Sequence, residues 1–351
     1  MILKSSLLDK LACPLDHKPL TEVSFPKSGL SCSDGHFYSV LDGVPILLPE
    51  GVLPTLDAIS MARNATMADA PFFLDTVLLS DEEKIGIQRL AERGSKIDPV
   101  AAYLVGATNG IAYKHLIGSL DEYPIPHIRL PAGNGRSLLD VGCSWGRWSV
   151  SAAKLGYRPI GIDPSLGAVM AARRVCRDLQ VEADFVVGDA RYLPFRGGVF
   201  DQAFSYSVLQ HLSVDDATKS FGEIGRILRV GGSSMIQMPT TYGLRCLFNQ
   251  LRRGFRAPRE FEVRYWQIGY LRKAMEQLIG PSNVSVDCFL GIGWQSSDAH
   301  LMPFSRRLIL RTSQFLTYTA SILPALNYVA DSVYVQSTKL MSRPELTETT
   351  T

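Results

Sequence analysis

Surplus charge is the first thing this sequence lacks. Its 36 Lys and Arg stand against 34 Asp and Glu, a formal net charge of +2 over 351 residues. A field that holds a polyphosphate backbone needs clustered surplus charge, so a whole-chain nucleic-acid binder is not favoured and any basic argument must be local. Closely spaced cysteines are missing too. The six, Cys13, Cys32, Cys143, Cys176, Cys246 and Cys288, are scattered, which excludes a disulfide framework and reads as a reducing compartment. Nor is there an apolar leader: MILKSSLLDK carries charges among its apolar residues, so the expected location is the cytoplasm. Long uncharged runs are scarce. The stretch 312–330, TSQFLTYTASILPALNYVA, contains hydroxyls, amides and Pro324 and is too weakly apolar for a membrane span. It is expected as a helix lying on a surface, consistent with peripheral membrane association, or packed on the core. No internal repeat is visible.

What is present suffices for one large core and a smaller satellite, with 46% hydrophobic and 20% charged residues. Residues 1–50 read as a compact, turn-rich module in which short β-like runs alternate with Pro and Gly. Residues 51–135 read as a helical linker or lid region, with DEEKIGIQRLAERG its best amphipathic helix. From 136 to 340 short apolar strands alternate with helical stretches, the pattern of a parallel sheet covered by helices. The expected strands are RSLLDVG, RPIGIDP, ADFVVGD, FDQAFSYS, SSMIQMP, VSVDCFL and SVYVQST. A substrate-side insertion is expected at 291–331 and a disordered tail at 341–351.

The run LLDVGCSWGRW, residues 138–148, decides the ligand class. A strand that breaks into a glycine turn before a helix places backbone N–H groups beside a ligand. A nicotinamide fingerprint would need glycines at 142, 144 and 147, where this chain has Gly142, Ser144 and Arg147. Small residues at 142, 144 and 146 fit another pattern. On these residues the chain resembles the class I S-adenosylmethionine-dependent methyltransferases, whose first motif runs apolar-apolar-Asp-Val-Gly-Cys-Gly-x-Gly. The resemblance covers about 136–240; Ser144 and the bulky Trp145 depart from it.

That resemblance implies an α/β fold with a Rossmann-like, seven-stranded, mostly parallel sheet, helices on both faces, and a small N-terminal β-rich ribbon module. It implies S-adenosyl-L-methionine as cofactor. Asp140, Gly142, Cys143, Ser144 and Gly146 would wrap the methionine part. Asp163 with Pro164 would take the ribose hydroxyls, Asp189 with Ala190 the adenine, and Ser205, Tyr206 and Gln210 would line the pocket. A lone strand-end Asp is more often a cap or turn residue. Three at successive strand ends are hard to assign to capping alone.

Methyl transfer needs alignment, exclusion of water and, for weak acceptors, removal of a proton. His211 follows the fourth strand and is the candidate base, against the alternative of a packing histidine. Tyr242, Trp266, Trp294 and His300 are candidates to wall the substrate site. Arg245, Arg252, Arg253, Arg256, Arg259 and Arg264, facing only Glu260 and Glu262, could meet a phosphate, an anionic sugar, a lipid headgroup or RNA, or form a solvated face. The N-terminal CPLDHKPL and LSCSDGHFY resemble methyltransferase-associated zinc ribbons. This implies a structural zinc held by Cys13, Asp16 or His17, Cys32 and His36, in a set where Asp16 replaces a cysteine. The alternative is a ribbon without metal. The leading expectation is methylation of a small-molecule or glycan-like acceptor, at oxygen. An RNA base methyltransferase is the alternative, and a non-catalytic cofactor-binding partner protein the third. Oligomeric state is left open.

Overall fold

The computed structural model describes residues 3–24, 28–50, 81–92, 94–108, 111–116, 119–259, 261–291 and 293–341. The linker stretch 51–80 and the tail from 342 onward, named above, lie outside these residues. The chain forms two compact units, Met1–Arg196 with Gly293–Pro303, and Gly197–Ile292 with the chain from Phe304.

The first unit begins with α1 (Ser5–Leu8) and four short strands, β1 (Thr21–Val23), β2 (Gly29–Ser31), β3 (Phe37–Leu41) and β4 (Val44–Leu47). They pair antiparallel in sequence order, with Glu22 opposite Leu30, Leu30 opposite Tyr38 and Leu41 opposite Val44. The β3–β4 turn is Asp42-Gly43, both with positive φ, as a two-residue hairpin whose twist matches its strands requires. All four residues of β4 are buried, because β4 continues the ribbon into a parallel sheet, with Ile46 opposite Val187. Two helices follow, α2 (Asp81–Glu92), at the expected amphipathic segment, and α3 (Pro99–Thr108). Asp98 caps α3 by accepting from Ala101 N at 2.9 Å.

The parallel strands of this unit are β5 (Ser137–Val141), β6 (Arg158–Asp163) and β7 (Asp184–Gly188), in the order β4-β7-β6-β5. Every residue of β5 is buried, which is why SLLDV reads as nearly continuous apolar rather than alternating. Helices α4 (Arg147–Lys154) and α5 (Leu166–Asp178) alternate with these strands. Ser165 caps α5 by accepting from Ala168 N.

The second unit holds β8 (Phe200–Tyr206), β9 (Leu228–Pro239), β10 (Ser282–Cys288) and β11 (Ser332–Thr338), in the order β8-β9-β11-β10. β8 and β9 are parallel, with Phe204 opposite Met235; β11 runs antiparallel to both β9 and β10. Its helices are α6 (Val214–Ile227), α7 (Leu244–Arg252), α8 (Ile268–Leu278) and α9 (Phe304–Ile322). Thus all seven expected strands are present, in a mixed α/β, Rossmann-like arrangement with parallel strands at its core. The uncharged stretch is the later part of α9 and a 3-10 turn, Pro324–Val329. Among the described residues, no helix is long and apolar enough to cross a membrane.

Candidate active site and metal cluster

In the first unit, β5 ends at Val141 and the chain turns through Gly142, Ser144 and Gly146, with φ of 77°, 47° and 84°. Gly146 is required twice over. Its φ is left-handed, and a Cβ there would stand 2.9 Å from Ala172 Cβ in α5. Ser144 N donates to Asp163 Oδ2 and Ser165 N to Asp163 Oδ1, both at 2.9 Å. Asp163 therefore ties the glycine turn to the start of α5. Burial pushes its carboxyl up to about 6 despite those two hydrogen bonds. Trp145 leaves the turn: it is fully buried and stacks on Tyr123, ring centroids 6.1 Å apart.

Asp140 is 1% exposed. Its Oδ2 accepts from Ser149 Oγ at 2.7 Å, and its Oδ1 has no hydrogen-bond partner among the described residues. Burial raises this carboxyl to about 7, with Asp163 adding to the rise against the Ser149 hydrogen bond. Cys143 is buried beside the same carboxylates and its thiol is held well above the ordinary range, chiefly by burial. At the end of β7, Asp189 accepts from Arg191 N at 2.9 Å and pairs with the Arg191 guanidinium at 2.9 Å. Pro164 and Ala190 are half-buried beside their acids.

A second carboxylate centre in this unit went unread in the sequence. Arg147, the first residue of α4, is 6% exposed and bonds Asp298 Oδ2 at 3.0 Å; Tyr113 donates to the same oxygen at 2.6 Å. The Arg147 guanidinium carbon also lies 5.6 Å from the Tyr113 ring centroid. An arginine at the positive end of a helix dipole calls for a buried acid nearby, which was the available signal. Its partner lies 151 positions away. Trp294 is buried, whereas His300 is exposed and pairs with Glu122 at 2.5 Å, which raises its pKa.

In the second unit, Ser205 is buried within β8, and Tyr206 at its end donates to Asp287 Oδ2 at 3.1 Å. Asp287, also unread in the sequence, accepts from Ser332 Oγ at 2.8 Å and Gln237 Nε2 at 3.3 Å. Gln210 donates to Ser207 Oγ at 2.8 Å and lies 3.3 Å from His211 Nε2. His211 Nδ1 sits 2.7 Å from the Phe261 carbonyl, and the ring stacks on Phe261 at 4.4 Å. A carbonyl only accepts, so Nδ1 carries the proton and Nε2 keeps the lone pair. Burial lowers this imidazole's pKa below 6.5, and the Arg264 charge lowers it further. Tyr242 is half exposed. Trp266 is buried, meets Phe221 edge-on at 5.9 Å, and lines a cavity of about 580 Å³ with Thr241, Tyr265 and Tyr270.

The N-terminal ribbon brings together the four residues expected there. Two tight loops do this: His17 N donates to Cys13 O at 2.9 Å, and Gly35 N to Cys32 O at 3.0 Å. Cys13, Asp16, Cys32 and His36 place one ligand atom each within 4.8 Å of all the others. His36 Nδ1 is 3.4 Å from Cys13 Sγ, 3.3 Å from Cys32 Sγ and 3.2 Å from Asp16 Oδ2, with Cys32 Sγ 3.4 Å from that oxygen. Asp16, not His17, completes the group. Burial works to raise the Asp16 carboxyl, but hydrogen bonds from Lys18 N and the two thiols, with His36 nearby, hold it at about 2.

Residues 138–232 match the family described as "Methyltransferase domain", so this stretch of the chain carries a methyltransferase domain. The ubiquinone biosynthesis O-methyltransferase of Azorhizobium caulinodans is 29% identical over 98 residues, 28% of this chain and 35% of that one. The norajmaline N-methyltransferase of Rauvolfia serpentina is 31% identical over 109 residues, 30% and 37% of the two chains. The tRNA U34 carboxymethyltransferase of Alcanivorax borkumensis is 41% identical over 91 residues, 24% and 27%. The chain thus matches between about a quarter and little more than a third of the length of these relatives. Among solved structures, the YcgJ protein from Bacillus subtilis aligns at a TM-score of 0.42 and 18% identity, over 61% of this chain and 95% of that one.

Proposed function

We propose that this chain binds S-adenosylmethionine at the glycine turn of the first unit and transfers its methyl group to a small-molecule or glycan-like acceptor, at oxygen. The observation that carries the reading is the turn itself. Gly142, Ser144 and Gly146 are all left-handed, Asp163 ties the turn to α5, and Asp140 keeps one buried oxygen without a partner among the described residues. An ammonium such as that of a methionine moiety suits that oxygen. Each Asp163 oxygen has a second lone pair for a ribose hydroxyl beyond the backbone N–H it accepts. When bound, the cofactor supplies an electrophilic methyl on a sulfonium, so the protein's share is alignment and proton removal. His211 is the proposed base of this unit: the Phe261 carbonyl holds Nδ1–H and the ring plane, and Nε2, which faces the Gln210 amide at 3.3 Å, takes the proton once that amide gives way to the acceptor. Asp287 and Gln237 fix Tyr206 and the backbone before Gln210. Tyr242 and Trp266 are the proposed acceptor walls in this unit.

The two small-molecule relatives favour a metabolite acceptor. The tRNA-modifying relative, with the arginine-rich stretch 245–264, supports the second reading, an RNA base methyltransferase. Incubation with methyl-labelled cofactor and fractionated cell extract separates them. Label in small metabolites or saccharides is expected. Label in RNA overturns the acceptor, and cofactor binding with no transfer to any fraction overturns the enzyme.

Cys13, Asp16, Cys32 and His36 are proposed to hold a structural zinc. The edges of a tetrahedral zinc site with these donors measure roughly 3.3–3.8 Å, and the separations of 3.2–3.4 Å among their atoms come close. Elemental analysis of the purified chain should find about one zinc per molecule, with a melting temperature lowered by chelator. No metal, and a melt indifferent to chelator, contradicts the assignment.

A further inference from the structure

We infer that α7 and α9 of the second unit form a docking surface for an anionic lipid bilayer. The inference goes beyond the proposed activity and uses none of its residues apart from the flanking Tyr242.

A helix on a soluble protein is expected to be polar opposite its buried face. α9 is not. It buries Leu310, Ser313 and Ala320 along one side, where Ser313 Oγ accepts from Phe289 N at 3.0 Å. On the opposite side Phe304, Leu308, Arg311, Phe315, Tyr318 and Ile322 fall within about 80° of arc at 3.6 residues per turn. Phe304 is 75% exposed, Phe315 68%, Tyr318 67% and Ile322 63%. α7 repeats the arrangement. Cys246 is its one buried residue, and Leu244, Leu247, Phe248 and Leu251 form an exposed stripe facing away from it. Arg245 and Arg252 sit at the shoulder of that stripe, their guanidinium carbons 5.4 and 6.0 Å from the Phe248 ring centroid.

One corner ties the start of α7 to the chain that follows α9. Asp331 Oδ1 accepts from the backbone N–H groups of Arg245 at 2.6 Å and Cys246 at 3.0 Å. This fixes the first turn of α7 beside Asp331, which follows the 3-10 turn Pro324–Val329 after α9. Exposed Tyr242, Leu323 and Tyr328 flank that corner.

Charge decides the occupant. No Asp or Glu occurs in 241–259 or in 299–330, against five arginines in the first stretch, of which Arg256 pairs with Glu262 just beyond it, and three in the second. Apolar stripes bordered by arginine and free of carboxylates suit the boundary between headgroups and acyl chains of a negatively charged leaflet. A second copy of the chain would set arginine-bordered stripes against their own kind.

The test is co-sedimentation of the full chain with vesicles of phosphatidylcholine alone, or with about a third phosphatidylglycerol, at low salt and at about 0.5 M. Binding to the anionic vesicles, weakened by salt, is expected. It should fall about tenfold or more in F315S/Y318S and in R245E/R252E. L251S alone serves as a milder variant, and unchanged thermal melts show that the variants fold. No binding to anionic vesicles, equal binding to both kinds, or variants that fold and bind like the parent would overturn the inference. So would a concentration-dependent dimer dissolved by F315S/Y318S, which would assign the stripes to contact between copies.

Discussion

Asp140 carries two opposed demands. Its ordinary carboxyl pKa of 3.8 is raised to about 7 in the folded chain, chiefly by burial. Between those values the folded chain holds a proton that the unfolded chain has released, so ligand-free stability falls as pH rises from about 4 through 7. Asp140→Asn removes that dependence. Denaturant melts at pH 8 should show the ligand-free variant more stable by on the order of 4 kcal/mol, with the difference vanishing below about pH 3, while its affinity for cofactor falls. Equal pH dependence in both proteins would refute the burial argument. His211 makes a second residue-scale prediction. Because its pKa is depressed, methyl transfer that relies on it should lose activity only below 6.5, and His211→Gln should remove that acid limb.

At the scale of elements, the segment 293–303 belongs to the first unit through one buried cluster. Asp298→Asn leaves the Arg147 guanidinium and the Tyr113 hydroxyl facing a neutral amide, and breaking a buried pair from one side costs about 3–5 kcal/mol. Chemical denaturation of the variant measures it; a loss under 1 kcal/mol would show that solvent already screens the pair. The strands were legible because their signal is local: apolar runs ending on Asp140, Asp163 and Asp189 before glycine or turn residues. Cys32 and His36 were legible from their spacing, and Asp16 from its place in CPLD. The Tyr113–Asp298 contact spans 185 positions, and no periodicity reports that. Nor did local pattern show that β4 joins the sheet beside β7, because VPIL reads equally well as a hairpin strand on its own.

At the scale of the whole molecule, the near-zero net charge conceals local asymmetry: carboxylates gather at the strand ends of the first unit and arginines along α7 and α9 of the second. The central claim concerns the first of these, that the turn from Gly142 to Gly146 with Asp140 and Asp163 receives a sulfonium nucleoside. Calorimetric titration of the purified chain with S-adenosylmethionine, and with its demethylated product, tests it most directly. Saturable heat with about one site per chain, lost in Gly146→Arg at a melting temperature still showing a folded chain, is the predicted result. No heat with either compound, from protein that melts cooperatively, would contradict the account.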